Sequence, residues 1–88
     1  MYRLVYYTRI TNVELGEQEP KVYNKKENGA EFRLRKNALH YVREIAQNMY
    51  REWGYATELI TGGLCCYKSV KESESKRIID ITVKIEKI

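Results

Sequence analysis

The chain has 88 residues, of which 43% are hydrophobic and 32% are charged, and its formal net charge is +4. This length suits one domain with a modest core, and the apolar content is too high for a disordered chain. No run approaches the roughly 18 apolar residues of a membrane-spanning helix, and the first residues do not resemble a secretory signal. We therefore expect a single cytoplasmic domain over residues 1–88.

The first predicted element is a strand over Tyr2–Thr11, because β-branched and aromatic residues dominate this segment. Side chains alternate between the two faces of a strand, so Arg3, Tyr7 and Arg9 should share one face. The following segment, Asn12–Pro20, is polar and ends at the only proline, which is typical of a loop.

The next segment, Lys21–Arg35, allows two interpretations. The pair Asn28-Gly29 favours a tight turn, which predicts a hairpin that joins strands over Val22–Lys25 and Ala30–Arg35. Alternatively, a helix could begin at Asn28, since Glu31 follows three residues later as in a capping box. We prefer the hairpin because Asn-Gly is a strong turn signal.

A helix is predicted to follow, with one apolar stripe at helical spacing. The stripe consists of Leu39, Val42, Ala46, Met49 and Trp53. Asn37 is the expected N-cap, because its side chain can accept a hydrogen bond from the free amides of the first turn. Gly54 is expected to end the helix in the left-handed conformation. We expect the stripe, including Trp53, to form the core against a sheet.

Three further strands are predicted over Tyr55–Thr61, Leu64–Val70 and Arg77–Ile88. The first two are joined by Gly62-Gly63, a pair that permits the tight turns of two-residue hairpins. The last strand is long, and we expect it to lie at a sheet edge. There its free amides could pair with a second copy of the chain to form a homodimer.

Together these elements predict an α+β fold in the order β-(ββ)-α-β-β-β. Its antiparallel sheet would have four to five strands, with one amphipathic helix packed on one face. The other face of the sheet would then be uncovered, and it is the expected place for function.

Residues that could support catalysis are scarce. His40 and Glu44 are one helical turn apart, which fits a general base held by a carboxylate but fits a solvated surface pair better. Cys65 and Cys66 are adjacent, so we expect two reduced thiols on opposite faces of a strand. No phosphate loop, nucleophile motif or zinc spacing occurs. The sequence therefore predicts no enzymatic activity, no cofactor and no metal site.

Basic and aromatic residues give the main indication of binding. The segment Lys21–Lys36 holds six basic and two acidic residues, whereas the remaining charges balance. It could be an arm that reaches phosphates through a mobile hairpin tip at Lys25-Lys26, or simply a solvated hairpin. The Arg3, Tyr7 and Arg9 face could stack bases and hold phosphates, or could be an ordinary sheet surface. The candidate binding residues are Arg3, Tyr7, Arg9, Lys21, Lys25, Lys26, Arg33, Arg35 and Lys36.

No motif in the sequence identifies a family. The composition and charge favour a non-enzymatic module that binds nucleic acid, without contact with a membrane. The alternative is a protein-binding adaptor, or an inhibitor of a larger nucleic-acid-processing enzyme. A mobile-element protein that blocks a host nuclease is one example of that second type.

Overall fold

The computed structural model describes residues 1–16 and 19–88, and in these residues the chain forms five strands and one helix. The strands form a single antiparallel sheet in the order β2-β1-β5-β4-β3, with the helix on one face. The predicted α+β fold is therefore confirmed. The elements are β1 (Tyr2–Glu14), β2 (Lys21–Phe32), α1 (Arg35–Trp53), β3 (Ala56–Ile60), β4 (Gly63–Lys71) and β5 (Ser75–Lys87).

The predicted hairpin at Asn28-Gly29 is wrong, and so is the alternative helix start at Asn28. β2 continues unbroken through both residues and pairs with β1. The register of this pairing shifts between Arg3 and Val5, beside Gly29. A Cβ atom at Gly29 would collide with the ring of Tyr6. The glycine therefore provides space for an aromatic side chain next to a bulge, a role that a strand glycine can have without any turn.

The position of the last strand also differs from the prediction. β5 lies in the centre of the sheet between β1 and β4, so it has no free edge for a second copy. The sheet edges are β2 and β3. The first strand pairs with the last in antiparallel orientation, from Tyr2 opposite Lys87 to Glu14 opposite Ser75. Both strands therefore lie inside the sheet.

The β3–β4 hairpin is present, but its turn lies one residue earlier than predicted. Thr61 and Gly62 form the turn, and Gly62, its second residue, has a positive φ of +73°, which glycine adopts readily. Gly63 is already part of β4 and pairs with Ile60.

α1 ends as predicted but begins differently. Gly54 has a left-handed φ of +69°, and the N–H of Tyr55 donates to the carbonyl oxygen of Met49 at 3.0 Å. The N-cap is Leu34, whose side chain makes no capping hydrogen bond. Asn37 lies inside the first turn and is not the cap. In the described residues, no helix combines the length and apolar character needed to cross a membrane.

The core lies between α1 and the middle of the sheet. On the helix side it consists of Ala38, Val42 and Ala46, and on the sheet side of Leu4, Leu64, Cys66 and Val83. Met49 packs against this cluster as predicted. Trp53 is 63% exposed, so its predicted core role is wrong. Tyr55 packs against the core instead, just beyond the end of the helix.

Candidate functional site: the open sheet face

In the described residues no helix or further strand covers the sheet face opposite α1, and we call it the open face. Leu4, Leu64 and Val83 point towards α1, so the residues between them in each strand point the other way. Directly opposed residues of antiparallel strands share a face. The register therefore places one row across the middle of the open face. That row is Lys26, Tyr7, Thr82, Cys65 and Glu58.

Tyr7 lies near the centre of the open face and is half-buried. The Nζ atoms of Lys26 and Lys84 lie 5.7 Å and 5.4 Å from the centroid of its ring. Its hydroxyl donates a hydrogen bond to Oε2 of Glu86 at 3.3 Å. The cations contact the negative face of the aromatic ring, and the hydroxyl contact restrains the ring position. The result is a fixed aromatic side chain with two ammonium groups close by.

The two arginines of β1 have different surroundings. Arg3 lies between Glu31 and Glu86 in the register, and its Nη2 is 3.7 Å from Oε2 of Glu31. Arg9 is exposed and lies beside Asp80, but among the described residues no carboxylate comes within ion-pair distance of it. Lys26 and Lys84 are likewise without an ion pair in the described part of the chain. These three side chains are the cations near Tyr7 that an anion on this face could reach.

Two shallow grooves cross the open face. One, of about 520 Å³, lies near β2 and is lined by Tyr7, Arg9, Lys26 and Asp80 together with neighbouring residues. The other, of about 340 Å³, lies towards β3 and includes Tyr67, which is 46% exposed. Both grooves border Asp80 and Thr82, so together they extend across the sheet.

The structure brings four of the predicted binding residues together on this face: Arg3, Tyr7, Arg9 and Lys26. The other five lie elsewhere. By strand alternation, Lys21 and Lys25 point to the opposite face of β2, where Lys25 forms an ion pair with Glu27. Arg33 lies in the connection after β2, and Arg35 and Lys36 are in the first turn of α1. The basic segment is therefore neither a hairpin tip nor a single patch.

Lys84 lies beside Tyr7 on the open face and is absent from the residues predicted from the sequence. It is distant from Tyr7 in sequence, and only the pairing of β5 with β1 brings the two together. Side-chain alternation places Lys84 on the face opposite Val83, but alternation does not indicate which strand lies alongside.

Cys66, His40 and Glu44 are not part of the cluster of charged residues around Tyr7. Burial, with a smaller effect of the neighbouring Cys65, raises the pKa of Cys66 to about 11, so this thiol stays protonated at neutral pH. Nε2 of His40 lies 3.2 Å from Oε1 of Glu44, and both side chains are exposed, as expected for a solvated pair. Among the described residues, no group of three potential metal ligands is close enough to hold an ion.

Comparison of the chain with known protein families, curated proteins and solved structures finds no match. The functional argument therefore depends on the geometry and charge of the open face.

Proposed function

We propose that this protein is a small non-enzymatic module that binds single-stranded nucleic acid on its open face. The observation that carries the proposal is the ring of Tyr7 with Lys26 and Lys84 on it and Arg9 nearby. Unpaired bases stack on exposed aromatic rings, and the phosphates that flank them bind cations.

The shape of the face favours a single strand over a duplex. The open face is a broad sheet surface with shallow grooves. Its aromatic side chains stand in rows with the side chains of neighbouring strands. Only a base that is not stacked on its neighbours can reach such a ring. A base on Tyr7 would displace a lysine from the ring, and the released ammonium group would remain close enough to bind a phosphate.

The test is fluorescence anisotropy with labelled oligothymidine, oligouridine and a DNA duplex, each about 12 nucleotides long. We expect the single strands to bind more tightly than the duplex. Three phosphate contacts should give a slope of about −2 for log affinity against log salt concentration, measured between about 50 and 200 mM. Absence of single-strand binding at the lower salt concentration would overturn the proposal.

A lysine outside the open face provides the control. Replacement of both Lys26 and Lys84 by Gln should reduce the salt slope by about 1.4, because two phosphate contacts are lost. Lys36→Gln removes a charge from the first turn of α1 and should leave the slope unchanged. Tyr7→Leu should cost about 1–3 kcal/mol of binding free energy through lost stacking. Equal effects of Lys36→Gln and Lys26→Gln would show that the open face is not the site.

A second candidate function is binding of a protein, as an adaptor or as an inhibitor of a larger nucleic-acid-processing enzyme. The observation that favours it is the presence of carboxylates among the cations of the open face, including Glu58 and Asp80. A surface that carries both positive and negative charges suits a protein partner whose charges are arranged in the complementary pattern. Glu58→Gln with Asp80→Asn should strengthen nucleic-acid binding under the first proposal, and should weaken partner binding under the second.

A further inference from the structure

A second surface lies on the other side of the molecule, where α1 runs beside β3. A groove of about 550 Å³ is lined there by Arg43, Gln47, Tyr50 and Arg51 of the helix together with Thr57 and Leu59 of the strand. Tyr50 is 66% exposed and Leu59 is 55% exposed. The floor of the groove includes Ala46 of the core, and the other lining residues belong neither to the open face nor to the buried core.

β3 forms one edge of the sheet. It pairs with β4 on one side, and its other side has no strand partner among the described residues. The outward amide and carbonyl groups of Ala56–Ile60 can therefore pair with an added strand. By alternation Thr57 and Leu59 face the helix side, so every second side chain of an added strand would point to the same side as this groove.

Two cations border the groove. Arg43 and Arg51 are exposed, and in the described chain no carboxylate lies within ion-pair distance of either. Eight residues of helix separate them, which corresponds to about 12 Å along the axis. In an extended strand, residues i and i+4 are about 13 Å apart and share a face. Two carboxylates four residues apart in an added strand could therefore span the distance between the two arginines.

We propose that this groove is a second binding site, and that it takes an extended acidic segment of a partner protein. The segment adds to the free edge of β3, places an apolar side chain against Tyr50 and Leu59, and pairs two carboxylates with Arg43 and Arg51. A peptide fits better than a nucleic acid, because only a peptide has the backbone amides and carbonyls that pair with a strand edge. The proposal does not depend on the function of the open face.

The test begins with a displayed library of random peptides of about eight residues, selected against the immobilised full chain. The expected product is a set of peptides in which Asp or Glu alternates with apolar residues, with carboxylates four positions apart. One selected peptide is then synthesised and titrated into isotope-labelled protein. Amide shifts in Ala56–Ile60 should exceed those in the equally exposed strand β2. Selection without enrichment of acidic residues would overturn the proposal.

Charge-reversal variants then test the two arginines. Arg43→Glu with Arg51→Glu should weaken binding of the selected peptide at least about tenfold, since each charge-assisted hydrogen bond is replaced by repulsion between two carboxylates. The matched control is Arg33→Glu with Lys36→Glu, which changes the net charge equally outside the groove and should have little effect. Leu59→Ser should also weaken binding, because it removes an apolar contact at an exposed position.

Three results would contradict the proposal: equal loss of peptide binding in the control pair, peptide shifts confined to other elements, or competition by oligothymidine for the groove. The last result would indicate a nucleic-acid surface. Lys26→Gln with Lys84→Gln should keep full peptide binding, so failure at this groove and failure at the open face can be distinguished.

Discussion

At the residue scale, two glycines of the sheet illustrate how much a single missing Cβ atom can determine. A Cβ atom on Gly63 would collide with the backbone carbonyl oxygen of Val83 and lie 3.1 Å from its carbonyl carbon. A Cβ atom on Gly29 would meet the ring of Tyr6. The difference is that a ring can rotate away, whereas the backbone of the central strand β5 is held by hydrogen-bonded strands on both sides.

We predict that Gly63→Ala is the more destabilising of the two substitutions. Overpacking against fixed backbone should cost at least about 1–3 kcal/mol, and each kcal/mol should lower Tm by roughly 4–8 °C in a domain of this size. Gly29→Ala should cost less, because Tyr6 can move and because alanine restricts the unfolded chain. Thermal unfolding of both variants checks this order. A smaller Tm change for Gly63→Ala than for Gly29→Ala would contradict it.

At the element scale, the start of α1 is poorly stabilised. Its N-cap, Leu34, has the extended backbone angles of a cap, with φ −112° and ψ 133°, but no side-chain hydrogen bond. The first turn contains no acidic residue and carries the basic side chains of Arg35 and Lys36, which interact unfavourably with the helix dipole. The helix therefore depends on packing of Ala38, Val42 and Ala46 rather than on its own terminus.

We predict that Leu34→Asp raises the free energy of unfolding by about 1 kcal/mol, because the carboxylate can cap the free amides and is favourable at the positive end of the dipole. Leu34→Ala is the control and should bring no gain. Asn37→Ala should not destabilise the protein, since Asn37 is within the helix. Urea unfolding measures all three. A loss of about 1 kcal/mol in Asn37→Ala would mean that Asn37 is the cap after all.

At the scale of the whole molecule, the central position of β5 determines which edges can meet another chain. The long free edge is β2, twelve residues that are exposed along most of their length. An antiparallel pair of two β2 strands centred on Lys25 or Glu27 would place like charges opposite each other. Such cross-strand pairs are destabilising, and lysines are a common protection of strand edges.

We therefore predict that the protein sediments as a monomer of 10.5 kDa. Replacement of Lys25 by Val and Lys26 by Thr should promote self-association, because it removes the repulsion and raises strand propensity at the edge. Lys84→Thr makes a similar change on the inner strand β5 and should leave the mass unchanged. A dimer of the unmodified chain would show that the charges of β2 do not protect this edge.

Features that depend on residues close together in the chain can be predicted from the sequence. Features that depend on contacts between distant residues cannot. The helix end at Gly54, the alternation of β1 and the presence of a two-residue hairpin before β4 depend on neighbours in the chain, and local pattern predicts them, although the turn lies one residue earlier than predicted. The turn predicted at Asn28-Gly29 is wrong because the preference of this pair for a turn is local, whereas the pairing of β2 with β1 and the space needed by Tyr6 are not. The core position predicted for Trp53 is wrong because helical spacing does not show where the sheet beneath the helix ends.

The sequence by itself determined that this is a small α+β domain with one amphipathic helix, and that Arg3, Tyr7 and Arg9 share a face. Those properties follow from side-chain periodicity and local conformational preference. Only the tertiary structure decided that β5 lies in the centre, that Lys26 and Lys84 meet at Tyr7, and that Arg43, Arg51 and Leu59 border one groove. Strand order and register arise from contacts between residues far apart in the chain, and no local pattern specifies which partner each strand takes.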